Sequence, residues 1–172
     1  MQQDYGAKHP EGELLVTSCI TVRSFAPELR SAPKLHGEDS FVGYFDYGPG
    51  MSRGHIFLVF PALDDANDDI GKLLQAVDPK KREFWLEASL KQGDLASSEP
   101  FEAVVPPKQH YSNPNSLIVE REAILMRGSL QAACGKRYLI AVQGNPRASE
   151  DSEWPRIRVS YDLFVSNLQW PK

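Results

Sequence analysis

The stretch Ile157-Arg158-Val159-Ser160-Tyr161-Asp162-Leu163-Phe164-Val165 places Ile157, Val159, Tyr161, Leu163 and Val165 at every second position. Successive strand side chains point to opposite faces, so this spacing predicts a strand over 156–166, central or well paired, with those five residues toward the core. Upstream, Tyr138, Ile140 and Val142 alternate in the same way. An extended run covers Ser116 to Arg127, and Phe101, Ala103 and Val105 share a face before Pro106-Pro107 interrupts. Phe84, Leu86, Ala88 and Leu90 make a further period-2 set. Two aromatic and β-branched runs, Phe41 to Tyr47 and His55 to Phe60, flank Gly48-Pro49-Gly50-Met51-Ser52-Arg53-Gly54, the pattern of a hairpin with a wide loop. Near the start, Glu13 to Arg23 alternates and is read as one strand.

A single segment changes period. Ile70, Leu73, Leu74 and Val77 fall at i, i+3, i+4 and i+7, which predicts one short helix near 66–77, closed by Asp78-Pro79. The stretches 24–39, 48–54 and 106–115 carry Pro and Gly and are read as surface loops. About eight strands with one short helix predict a mainly β fold, a single antiparallel β-sandwich of jelly-roll or C2-like type. With 172 residues the chain suits one domain, 13–172, behind a polar lead-in over 1–12.

Composition narrows the function classes. Nineteen basic residues against 23 acidic ones give a net charge of −4, which lacks the basic footprint of a nucleic-acid binder. The longest apolar stretch near the N-terminus, Leu14 to Val22, is far short of the roughly 20 residues a membrane helix needs. Cys19 and Cys134 are too few for a disulfide framework; one bridge between them is the alternative, and two reduced thiols in a cytoplasmic protein is the expectation.

Three groups could carry chemistry. Asp64, Asp65, Asp68 and Asp69 concentrate carboxylates for calcium, or else cap the helix that follows. His36, Glu38 and His110, with Arg127 further on, have the residue types of a two-histidine, one-carboxylate iron site with an arginine for an oxoacid. The glycine loop 48–54 leads into a strand and lacks lysine, so it suits a turn better than a phosphate cradle. No Gly-x-Ser-x-Gly elbow is present.

The C-terminal third, Gly135-Lys136-Arg137-Tyr138-Leu139-Ile140-Ala141-Val142 followed by Val159-Ser160-Tyr161-Asp162-Leu163-Phe164-Val165, resembles the last hairpin of the C2-like sandwich in calpain-type and bacterial pre-peptidase C-terminal domains. That resemblance implies an accessory module that docks on other domains, with calcium or lipid contact. No catalytic residue transfers with it.

The expected function is therefore a non-catalytic binding or assembly module, one piece of a larger complex, whose partner is another protein or its own copies. The alternatives are a calcium- or lipid-contacting C2-like regulatory domain and a small metal-dependent oxygenase using His36, Glu38 and His110. Loops on a rigid sandwich are where recognition is usually placed.

Overall fold

The computed structural model describes residues 8–9, 13–15, 17, 19–23, 29–31, 41–45, 55–62, 69–77, 85–146 and 149–170. Thirteen strands and two helices lie among them. The short strands are β1 (Lys8–His9), β2 (Glu13–Leu15), β3 (Thr21–Arg23), β4 (Leu29–Ser31) and β13 (Leu168–Gln169). Eight have four or more residues: β5 (Phe41–Phe45), β6 (Ile56–Pro61), β7 (Ser89–Gln92), β8 (Phe101–Val105), β9 (Lys108–Asn113), β10 (Ser116–Arg121), β11 (Ile124–Ala133) and β12 (Lys136–Gly144). The helices are α1 (Ile70–Val77) and α2 (Glu150–Asn167).

The mainly β, antiparallel, sandwich-like class read from the sequence holds. Its centre is a seven-stranded sheet ordered β4-β5-β6-β12-β11-β8-β7. Period 2 decides which side chains each face buries. Phe57 and Val59 of β6, Leu125 of β11, and Tyr138, Ile140 and Val142 of β12 point to one face, against Trp154, Ile157, Tyr161 and Phe164 of α2. Leu58, Phe101, Ala103, Met126, Leu139 and Ala141 point to the other, against Ile70, Leu73 and Leu74 of α1 together with Trp85 and Leu95. A four-stranded sheet, β1-β2-β3-β13, adds Leu168 to the α2 side, and Ile20, just before β3, joins it. A two-stranded ribbon, β9-β10, joins neither of the larger sheets.

Several expectations are corrected. The stretch 156–166 is helical, the middle of α2, so Val159 to Val165 forms no hairpin with 138–142. Its residues also satisfy a helical spacing: Trp154, Ile157, Tyr161, Phe164 and Leu168 are all buried, while Val159 is 67% and Leu163 43% exposed. Ser149 starts the helix, its side chain accepting from Ser152 N–H while the Ser152 hydroxyl accepts from Ser149 N–H. Glu150, Asp151 and Glu153 complement the positive end of the helix dipole. Pro155 lies inside the helix with no N–H to donate, which costs one internal hydrogen bond.

Elsewhere the differences are breaks. Glu13 to Arg23 is not one strand but the hairpin β2-β3, with Leu14 opposite Val22. Thr17 makes the reversal: its hydroxyl oxygen accepts from the N–H groups of Cys19 at 3.1 Å and Ile20 at 3.0 Å. Such local bonds compete with continuation of a strand. Ser116 to Arg127 divides between β10 and β11, 106–115 contains β9, and 24–39 contains β4. Of the described residues of the expected 84–90 strand, 85–90, only Ser89 and Leu90 are extended; Trp85 turns inward and Leu86 outward. The loop 48–54 lies outside the described residues.

The cysteines are joined. Cys19–Cys134 is a disulfide with Cα atoms 6.2 Å apart, within the normal range for a bridge. Cys134 and Gly135, at φ 51° and 76°, form the two-residue turn between β11 and β12. Folding brings that turn to the β2-β3 turn, an adjacency invisible across 115 residues of sequence.

Candidate binding surface

Residues 106–123 connect β8 to β11, which are antiparallel neighbours with Val105 opposite Ile124. The ribbon is therefore an excursion from the sheet, and its base is fastened. The Arg121 guanidinium donates to the Pro106 carbonyl and pairs with Glu87 at 3.8 Å. On the far side of the base, Asn145 Nδ2 donates to the Ala123 carbonyl at 2.7 Å. At the tip, Pro114 presets the turn and Asn113 Oδ1 accepts from Asn115 N–H at 2.9 Å.

Between base and tip the two faces differ. Tyr111 lies opposite Leu117 and Gln109 opposite Val119, so Tyr111, Leu117 and Val119 share one face. They are 67%, 45% and 50% exposed. On the other face, one Glu120 carboxylate oxygen lies 3.1 Å from His110 Nδ1 and the other pairs with Lys108 at 3.8 Å, beside Ile118. Scattered exposed apolar residues are ordinary, but three sharing one face of a ribbon, with Ile118 the single apolar residue among charged ones on the other, make an amphipathic blade.

Beneath α2 lies a second polar construction. Glu102 of β8 is fully buried; its carboxylate accepts two bonds from Arg158, at 2.7 and 2.8 Å, and one from Arg127 at 3.1 Å. Burial opposes the Glu102 charge, yet the two guanidinium groups outweigh it and hold the carboxyl below its ordinary range. Burial pushes the Tyr161 hydroxyl up, partly offset by its hydrogen bond to Ser129 at 2.7 Å. Arg127 and Arg158 also stand over the Tyr161 and Trp154 rings at 5.2 and 5.6 Å. With all three Glu102 bonds internal, the cluster fastens the helix to the sheet.

Of the residues singled out in the sequence, Asp69 precedes α1, and its Oδ1 accepts from Gly71 N–H at 2.9 Å and Lys72 N–H at 3.3 Å. Asp64, Asp65 and Asp68 lie outside the described residues, as do His36 and Glu38. His110 is on the ribbon, and Arg127 pairs with Glu102. Among the described residues no three His, Cys, Asp or Glu side chains are grouped to hold a metal ion. Sequence reasoning missed the ribbon because Lys108 to Asn113 holds one apolar residue, Tyr111, in a run flanked by prolines. It missed Glu102 and Arg158 because nothing in their neighbourhoods marks them as partners.

No family model and no curated protein matches the chain. Among solved structures, the chain is similar to the Ran-binding protein Mog1p of Saccharomyces cerevisiae, at 13% identity and a TM-score of 0.49, over 88% of this chain and 90% of that one. A Bacteroides thetaiotaomicron protein is similar at 12% identity and a TM-score of 0.39, over 94% of this chain and 49% of that one. At such identities and scores neither neighbour says what this chain does. No helix among the described residues is long and apolar enough to cross a membrane.

Proposed function

We propose that this protein is a protein-binding module, and that its partner docks an extended segment on the β9-β10 ribbon. The observation that carries this reading is the exposed face of Tyr111, Leu117 and Val119 on a blade whose base is held by Arg121 and Asn145. Within the described residues each ribbon strand pairs only with the other, which leaves an outer edge of each for main-chain hydrogen bonds. Strand addition suits such an edge: the backbone supplies affinity and alternate side chains supply specificity. A tyrosine at the centre of a small apolar patch fits the composition of binding hot spots. The Cys19–Cys134 bridge removes the reduced-thiol basis for a cytoplasmic location and favours a compartment where thiols oxidise.

The test selects peptides from a random library on the immobilised protein and maps their contacts by photocrosslinking. Selected peptides with alternating apolar residues, crosslinked to 108–121, are expected. Leu117→Ser should weaken the selected peptide by at least about tenfold, the scale of a hot-spot loss. Unchanged affinity in Leu117→Ser and Tyr111→Ser would overturn the reading. So would concentration-dependent self-association abolished by the same substitutions, since the ribbon would then serve a second copy of this chain.

A further inference from the structure

We propose that Ser160, His55 and Glu153 form an acyl-transfer triad acting on short-chain, uncharged carboxylic esters. Glu153 and Ser160 are seven residues apart on α2, two turns, so they share a face about 10 Å apart along the axis. His55, just before β6, inserts between them. Its Nδ1 is 2.6 Å from Ser160 Oγ, and its Nε2 is 2.7 Å from Glu153 Oε1. All three are buried: His55 is 4%, Glu153 3% and Ser160 9% exposed.

The proposal uses the neutral ring. An ionised carboxylate only accepts, so in that form Nε2 carries the hydrogen and Nδ1 is left to accept from the serine hydroxyl. A serine donating to an imidazole that a carboxylate orients is the arrangement that activates an oxygen nucleophile. The two ring nitrogens exchange their usual roles here, with the same proton order. The ring is also held in place. A Cβ on Gly144 would lie 2.8 Å from His55 Cδ2, so the imidazole occupies space only glycine leaves. Glu153 Oε2 accepts from Arg156 at 3.4 Å.

Access comes from the solvent side of α2. His55, Pro155, Arg156, Val159 and Ser160 line an open depression of ≈ 360 Å³, within the range of about 300–1,000 Å³ for small-molecule sites. Pro155 and Val159 make it largely apolar, which sets the preference for short uncharged acyl groups. Arg156, whose guanidinium also bonds Glu153 Oε2, is the cationic group lining the depression.

In the first half-reaction Ser160 Oγ forms a bond to the ester carbonyl carbon as its proton passes to His55 Nδ1. The tetrahedral intermediate collapses by breaking the bond to the leaving oxygen, which takes the proton from Nδ1. Water then attacks the acyl-serine, its proton passing to Nδ1. The Ser160 Oγ–acyl bond breaks, Oγ recovers that proton, and the carboxylic acid departs. Glu153 stabilises the imidazolium in both halves. Ser160 lies in a helix interior, where backbone N–H groups are bonded along the helix. Turnover should therefore fall about 10²–10³-fold below triads that have a preorganised oxyanion hole.

The experiment treats the intact protein with a fluorophosphonate and maps labelled serines by mass spectrometry, with p-nitrophenyl acetate hydrolysis followed in parallel. Ser160 should be labelled at least tenfold faster than Ser166, which is exposed on the same helix. Ser160→Ala should remove both the label and the hydrolysis, and Glu153→Gln should slow labelling while the protein stays folded by circular dichroism. Labelling of Ser160 no faster than Ser166 in the wild-type protein overturns the proposal without need of any variant. Hydrolysis that persists in folded Ser160→Ala overturns it equally.

Discussion

The inner face of α2 and the apolar face of the β9-β10 ribbon use the same kinds of residue for opposite ends. Under α2, Trp154, Ile157, Tyr161 and Phe164 are almost completely covered, and Phe164 packs against Phe57 with ring centroids 5.0 Å apart. On the ribbon, Tyr111, Leu117 and Val119 remain in contact with solvent. Polar groups differ in the same sense. Glu102 satisfies its charge with three internal bonds beneath the helix, whereas Glu120 pairs with Lys108 and His110 at the surface. An aromatic residue and an ion pair thus stabilise the fold only where the sheet lets them be enclosed. On an excursion from the sheet the same groups are left for something else to cover.

That contrast is broken most directly at Phe164. Phe164→Ala should destabilise the protein by about 3–5 kcal/mol, because a fully covered aromatic ring leaves a cavity between sheet and helix. Chemical denaturation monitored by tryptophan fluorescence reads this, since Trp154 lies in the same cluster. Opening the bridge comes next. Cys134→Ser should cost about 2–4 kcal/mol by releasing a closed loop of 115 residues in the unfolded chain. Thiol alkylation before and after reduction should add mass at both cysteines only in the reduced sample.

Glu102→Gln should cost about 2 kcal/mol, the scale of leaving charged partners unpaired where Arg127 is largely enclosed. Its pH signature separates it from a packing defect. The folded pKa of Glu102 is depressed, so its stabilisation is complete above the ordinary carboxylate value of 4.5 and is lost as pH falls through the lower folded value. Wild-type melting temperature should therefore fall more steeply in acid than that of Glu102→Gln. On the ribbon, Leu117→Ser should change stability by less than about 0.5 kcal/mol while weakening peptide binding. A large loss of stability there would mean that the blade is packed rather than presented. The smallest effect is expected from calcium: with Asp69 occupied by two N–H groups of α1, melting should not shift beyond a magnesium control.

Much of the central sheet was legible. Phe101, Ala103 and Val105 share one face and Tyr138, Ile140 and Val142 the other, as their alternation requires. Phe57 and Phe60 separate to opposite faces for the same reason. The helix over 70–77 followed from its four apolar positions. Of the binding surface little was legible, because a two-stranded ribbon has no buried face to impose a strong pattern. Tyr111 and Leu117 meet only once the turn at Pro114-Asn115 brings them opposite.

The sequence by itself determined that the chain is mainly β with an antiparallel core, since period 2 leaves an apolar face on strand after strand that must be covered. It did not determine what covers them. Residues 150–167 carry apolar side chains at both two-residue and helical spacings, and only the sheet face offered by Phe57, Val59, Tyr138 and Ile140 selects the helix. The helical choice buries Trp154 and Phe164 and places Arg158 over Glu102, at the cost of leaving Val159 and Leu163 exposed. The bridge between Cys19 and Cys134, the Glu102 cluster and the Ser160–His55–Glu153 contact were likewise decided in three dimensions. The bridge spans 115 positions, the Arg158–Glu102 bonds 56 and the two bonds of His55 105 and 98, separations across which local pattern carries no information.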